Sequence, residues 1–120
     1  MKIAVAPLFG ENCITAEDGR VLHTQICDAL ERVRQGERVE VDFNGAAVFA
    51  SPFFNAAIGE LLRDHEPAVL NKNLAIVGLP ADAMSLLSRV IKNAREYFTN
   101  ARVRKALDEA AVDASGDHGV

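Results

Sequence analysis

Residues 39–62 read VEVDFNGAAVFASPFFNAAIGELL, and the order of residue types in this stretch decides the fold. Glu37 to Phe43 alternates charged and apolar side chains, the period-two pattern of a half-buried strand. Asn44-Gly45 is a turn signal, and a second short apolar run, Ala47 to Phe49, extends the strand region. Ser51-Pro52 then opens an amphipathic helix with Phe54, Ala57, Ile58, Leu61 and Leu62 on one stripe. Ser51 is the expected N-cap and Pro52 the expected first helical residue, where a missing N–H costs nothing. The chain thus passes from strand to helix within about three residues. Such a corner lies at the carboxyl edge of a sheet, where side chains and helix N–H groups are open to a partner.

Working outward, Lys2 to Leu8 reads as a strand and Phe9 to Asn12 as a turn. Thr15, with Asp18 three residues on, caps a helix whose stripe is Leu22, Ile26, Ala29, Leu30 and Val33. Gly36 is the expected residue after its end, and Gly19 weakens its first turn by about 1 kcal/mol relative to alanine. Beyond a loop at His65 to Pro67, Leu74 to Leu79 is an apolar run suited to a strand buried on both faces. Pro80 and Asp82 introduce a third helix with Ala83, Leu87, Val90, Ile91, Ala94 and Phe98 on one side. A separate last helix is expected over Ala101 to Ala111. The order of elements predicts an α/β sandwich, a small mixed β-sheet with helices packed on it. A single domain spans 1–112, and 113–120 is expected as a disordered tail.

With 120 residues, 49% of them hydrophobic and 25% charged, the chain suffices for one core without disulfides or metals. Every apolar run stops short of the ~20 residues of a membrane span, and the N-terminus lacks a signal-peptide pattern, so a cytoplasmic location is expected. Cys13 and Cys27 show no C-x-x-C or zinc-ligand spacing, and His23, His65 and His118 fall in three separate segments. Buried thiols are therefore expected, with no metal and no cofactor. Between Arg89 and Lys105 six basic residues face a single acid, Glu96, a local net of +5 that leaves −9 on the rest of a chain of net −4. A charge distribution of this kind steers a domain toward an acidic surface.

The segment VDFNGAAVFASPFFNAAIGELL, followed by LAIVGLP and a helix ending VIKNAREYF, resembles the STAS-like family of unknown function, relatives of the STAS domain of anti-sigma factor antagonists. The resemblance covers about residues 16 to 98. Its most specific parts are Asp42-Phe43-x-Gly45, the Ser51-Pro52 step and Phe54-Asn55-x-x-Ile58-Gly59. In the antagonists, this junction carries an Asp-Ser-Ser/Thr-Gly motif whose second hydroxyl is phosphorylated by an ATP-binding anti-sigma kinase. Here the motif falls on Ala50-Ser51-Pro52-Phe53. The acid position is Ala50, the phosphorylated position is Pro52, and only Ser51 keeps a hydroxyl. Ser51 is thus the candidate phosphorylation site, where an added charge of about −1.5 to −2 would alter docking.

No nucleophile-and-base signature, P-loop or dinucleotide fingerprint occurs, and Glu37, Glu40 and Asp42 read as the solvated face of a strand. The chain is therefore expected to be a non-enzymatic regulatory protein-interaction module in a bacterial cytoplasm. By resemblance, its partner would be an ATP-binding anti-sigma or histidine-kinase-like protein. The expected surface is Ala50, Ser51, Pro52, Phe53 and Asn55, with Phe53 as an exposed aromatic anchor and the Phe9 to Asn12 turn beside it. Two alternatives are a nucleic-acid-binding domain using the Arg89–Lys105 basic cluster, and a small enzymatic or anion-binding domain. The second requires a concave pocket at the Ser51 helix start.

Overall fold

The computed structural model describes residues 1–115, with side chains through residue 101. The alternating segment forms β3 (Val39–Asp42), with Val39 and Val41 buried and Glu40 and Asp42 half-buried, the period two expected of it. β1 (Lys2–Ala4) lies on one side of it and β5 (Leu74–Val77) on the other, giving the order β1-β3-β5. Both pairings are parallel, Ile3 opposite Val41 and Val41 opposite Ile76, where a mixed sheet was expected. Parallel neighbours follow because helices sit in each connection and return the chain to the same end of the sheet. β5 is an edge strand rather than one buried on both faces: only Leu74 is buried, and Ala75 to Val77 are half-covered.

β3 ends in a turn fixed by its own side chains. Asp42 Oδ1 accepts hydrogen bonds from the Asn44 backbone N–H (2.9 Å) and from Asn44 Nδ2 (2.7 Å), and Lys2 Nζ lies 3.2 Å from Oδ2. The Asn44 backbone bond first, and Lys2 second, hold the Asp42 carboxyl below the usual carboxylate range. Gly45, at φ +94°, completes the turn. Asp42-Phe43-x-Gly45 is accounted for as turn chemistry.

The expected first strand is shorter than Lys2 to Leu8. After Val5, whose N–H bonds Asp42 O at 2.9 Å, the chain makes a single helical turn, α1 (Ala6–Phe9), with Pro7 at its start. β2 (Asn12–Cys13) then pairs in parallel with β4 (Val48–Phe49) in a separate two-stranded ladder.

α2 (Ala16–Arg32) begins as the sequence predicts, with Thr15 Oγ1 accepting from Asp18 N at 3.1 Å. It stops at Val33, which is extended, and Gly36 serves the following turn at φ +89°. The proline-led helix is composite: α3 (Ser51–Phe54), a π-helical turn (Asn55–Gly59) and α4 (Leu61–Asp64). Glu60 N–H bonds Asn55 O, five residues back, at 2.9 Å. This element is buried nearly all round, because α2 packs on it and α6 (Ala81–Ser115) packs on it as well. Phe9, Phe43, Phe49, Phe53 and Phe54 form one aromatic cluster, with most rings edge-on at 5.8–6.5 Å and Phe49 stacked on Phe54 at 5.6 Å.

Gly19 sits buried in α2 where a Cβ would lie 2.5 Å from Phe53 O and 2.8 Å from Ala56 Cβ. Its lack of a side chain sets how closely α2 meets the central helix, outweighing the propensity lost in the first turn.

α5 (Pro67–Asn73) begins at the end of the expected loop and fills residues 68–73, for which no element was expected. Arg38 Nη2 donates to Asn71 O (3.1 Å) and Leu74 O (3.0 Å), tying the α5–β5 junction to the segment before β3. The two helices expected after Pro80 are a single one, α6, of 35 residues and about 52 Å. No glycine or proline interrupts Ala81 to Ser115, and Thr99-Asn100 cost only a fraction of a kcal/mol each, too little to break it. The expected disordered tail begins within this helix, which runs through Ser115, and Gly116 to Val120 lie outside the described residues. The Val103, Ala106, Leu107 and Ala110 side chains also lie outside them.

Candidate functional site

The corner between β4 and α3 is set by the second ladder. Ala47 and Val48 N–H bond Glu11 O at 2.8 and 2.9 Å, and Ala50 N–H bonds Cys13 O at 3.0 Å. Strand geometry therefore persists through Ala50 (φ −137°, ψ 152°), and the helix begins at the next residue. This makes Ala50, not Ser51, the N-cap, and moves Pro52 to the second helical position, where its missing N–H is still harmless. Ser51 does not cap. Its side chain is exposed and its hydroxyl makes no hydrogen bond among the described residues.

Pro52 and Asn55 are exposed beside Ser51, and Ala50 is half-buried. Phe53 is not part of this surface. It is fully buried, with its ring 5.8 Å from Phe9 and 6.5 Å from Phe43. The expectation of an exposed aromatic anchor fails because α1 folds over the corner and the β3–β4 aromatics close beneath it. Phe9 to Asn12 does lie against the corner, through the Phe9–Phe53 contact and the bonds to Glu11 O.

Across from Ser51, Pro52 and Asn55 stand Leu86, Arg89, Val90 and Asn93 of α6, and the two sides enclose an open cleft of about 390 Å³. Gly59 faces α6 at ordinary contact distance: a Cβ there would lie 3.4 Å from Val90 Cγ1 and 3.5 Å from Ala94 Cβ, but only 2.8 Å from Asn55 Oδ1. The Asn55 side chain thus folds back over Gly59, and the π-turn that contains both holds Asn55 in the cleft lining. Asn55-x-x-Ile58-Gly59 gains a physical reason here. Arg89 is exposed and makes no ion pair among the described residues. It brings to the cleft the positive charge that the sequence assigns to helix N–H groups. Nothing local in the sequence places Leu86, Arg89 and Asn93 beside Ser51, because that proximity follows from α6 packing on the central helix.

Of the basic cluster, Arg89, Lys92 and Arg95 are exposed along α6, and the side chains of Arg102, Arg104 and Lys105 lie outside those described. Glu40 and Asp42 are half-buried strand residues away from the cleft lining.

One pairing escapes the sequence reading. His23 and Cys27 stand one turn apart on α2, with Cys27 Sγ 3.5 Å from His23 Nε2 and His23 Nδ1 buried without a partner among the described residues. Burial first, then Asp64, Asp28 and Glu31, push the Cys27 thiol up, against a smaller opposing effect of Arg63. A thiol so disfavoured as thiolate is a packing group, not an activated nucleophile. Burial, with Asp18 second, pushes the fully buried Cys13 thiol up to about 11. No three His, Cys, Asp or Glu side chains are grouped to hold a metal ion among the described residues, and no described helix is long and apolar enough to cross a membrane.

The family model of the STAS-like domain of unknown function matches residues 18–83, from α2 to the start of α6. No curated protein and no solved structure matches the chain. The matched stretch includes Ser51, Pro52 and Asn55 and leaves out Leu86, Arg89 and Asn93 of the opposite wall.

Proposed function

Since the chain belongs to the family of STAS-like domains of unknown function, we propose that it is a non-enzymatic regulatory module that docks a protein partner in the cytoplasm at the cleft between the β4–α3 corner and α6. The observation that carries this reading is the cleft itself, about 390 Å³ and open, with Ser51, Pro52 and Asn55 on one wall and Leu86, Arg89 and Asn93 on the other. An open cleft with apolar, amide and hydroxyl groups around one unpaired cation suits an extended acidic segment of a partner. Its lining contains no carboxylate or imidazole that could act as a base toward Ser51. By resemblance to the anti-sigma factor antagonists, the partner is an ATP-binding anti-sigma or histidine-kinase-like protein. A phosphate on Ser51 would enter the cleft that Arg89 also lines and would compete with an acidic segment for that cation.

The test is capture from lysate with wild type, Ser51→Asp and Asn55→Arg, both substitutions being at exposed positions. Wild type is expected to retain an ATP-binding protein that both variants lose, with thermal unfolding of the variants within about 2 °C of wild type. Equal recovery by all three would sink the proposal.

A further inference from the structure

On a different face of α6 from the docking cleft, an apolar groove of about 180 Å³ opens between α6, α5 and the edge strand β5. Its walls include Leu62, Leu70, Ile76 and Ile91, and its polar lining is Asn71 and Arg95. Arg95 is exposed and, among the described residues, unpaired. The α5 side of the groove is not loose, because Arg38 holds the carbonyls of Asn71 and Leu74.

Size and charge together specify an occupant. A methylene takes up roughly a water's share of volume, about 30 Å³, so the groove holds a tail of about six such groups. That is less than the space of a drug-sized site and too little for a sterol or a long acyl chain. The one charged group that lines it is a cation, which calls for an anionic head at the end of an apolar body. We infer that the groove binds a short aliphatic carboxylate, its tail against Leu62, Leu70, Ile76 and Ile91 and its carboxylate at Arg95. This inference is independent of the docking reading, since the two sites share no residue.

The test is titration of the full chain with butanoate, hexanoate, octanoate and decanoate, followed by calorimetry and by amide NMR shifts. Affinity is expected to rise about fourfold per methylene until the tail reaches about six carbons, then to level off. Shifts should centre on α5, β5 and residues 91–95. Arg95→Met should weaken hexanoate about fivefold, as for an exposed ion pair, and leave hexanol unchanged. Asn71→Trp, at an exposed lining position, should block both ligands by filling the groove. The inference is overturned by a flat chain-length series, by affinity that climbs past octanoate with shifts spread over the surface, or by Arg95→Met without effect on hexanoate. It is overturned equally if the groove resonances move with protein concentration instead, which would make a second copy of the chain the occupant.

Discussion

Gly19→Ala is the sharpest test of the packing that builds the site, because helix propensity and tertiary geometry predict opposite signs. In an ordinary helix the change would stabilise by about 1 kcal/mol. In this protein the new Cβ would lie 2.5 Å from Phe53 O, 2.8 Å from Ala56 Cβ and 3.2 Å from Ala57 N. Two of these three are backbone atoms of the central helix, which cannot swing aside as the end of a long side chain can. Restoring an ordinary contact of about 3.4 Å therefore requires the two helices to separate by close to 1 Å through a tightly packed interior. Overpacking of this kind costs about 1–3 kcal/mol, and rigid opposing atoms place it near the upper value. After subtracting the propensity gain, a net loss of about 2 kcal/mol is expected, which at about 4 °C per kcal/mol lowers Tm by about 8 °C. The assay is urea and thermal unfolding of the variant beside Arg20→Ala, an exposed neighbour expected to stay within about 0.5 kcal/mol of wild type. A Gly19→Ala protein as stable as wild type, or more so, would refute the close approach of the two helices.

Three further outcomes follow from the same interior. Phe53→Ala should cost about 3–5 kcal/mol in urea unfolding, the loss for a buried aromatic, where an exposed interface residue would cost almost nothing. Gly59→Ala should cost about 1 kcal/mol or less, because its nearest obstacle is the mobile end of Asn55. It should still weaken partner capture by displacing that amide from the cleft. The Cys13 thiol, raised from 9.0 to about 11 on folding, is neutral in both states below pH 9 and favours the unfolded state as thiolate forms above it. The stability it contributes is thus complete below about pH 9 and lost as pH climbs through about 11. Cys13→Ala should flatten that alkaline limb of the stability profile relative to wild type, and an unchanged limb would exclude Cys13 as its source.

Much of the framework was legible because it is encoded locally. The alternation of Val39, Val41 and Phe43 marks β3, Thr15 with Asp18 marks the start of α2, and Ser51-Pro52 marks a helix start. What escaped depends on distant contacts. The stripe of Phe54, Ala57, Ile58, Leu61 and Leu62 assumes 3.6 residues per turn and one buried face, whereas the element contains a π-turn and is covered by both α2 and α6. The packing of α2 turns Gly19 from a weak helix residue into a contact surface, and the rings of Phe9 and Phe43 enclose Phe53. Ser51 lost its capping role because the β2–β4 ladder carries extended backbone one residue further than the sequence suggests. α5 has seven residues, too few for a period to stand out. The cleft's second wall is remote in sequence, so Arg89 read only as one member of a basic run.

The π-turn works as a phase shifter within the protein. A single residue corresponds to about 100° of rotation around a helix axis, so the wider turn at Asn55–Gly59 decouples the orientation of Ser51 and Pro52 from that of Leu61 and Leu62. Winding the same residues as a regular α-helix would swing one end relative to the other by about that angle, driving leucines outward or the corner inward. Identity in this segment is consequently constrained along with winding, since Ala56, Ala57, Ile58 and Gly59 are all buried. A bulkier side chain at Ala56 or Ala57, like an added codon, would push the corner away from the interior that supports it.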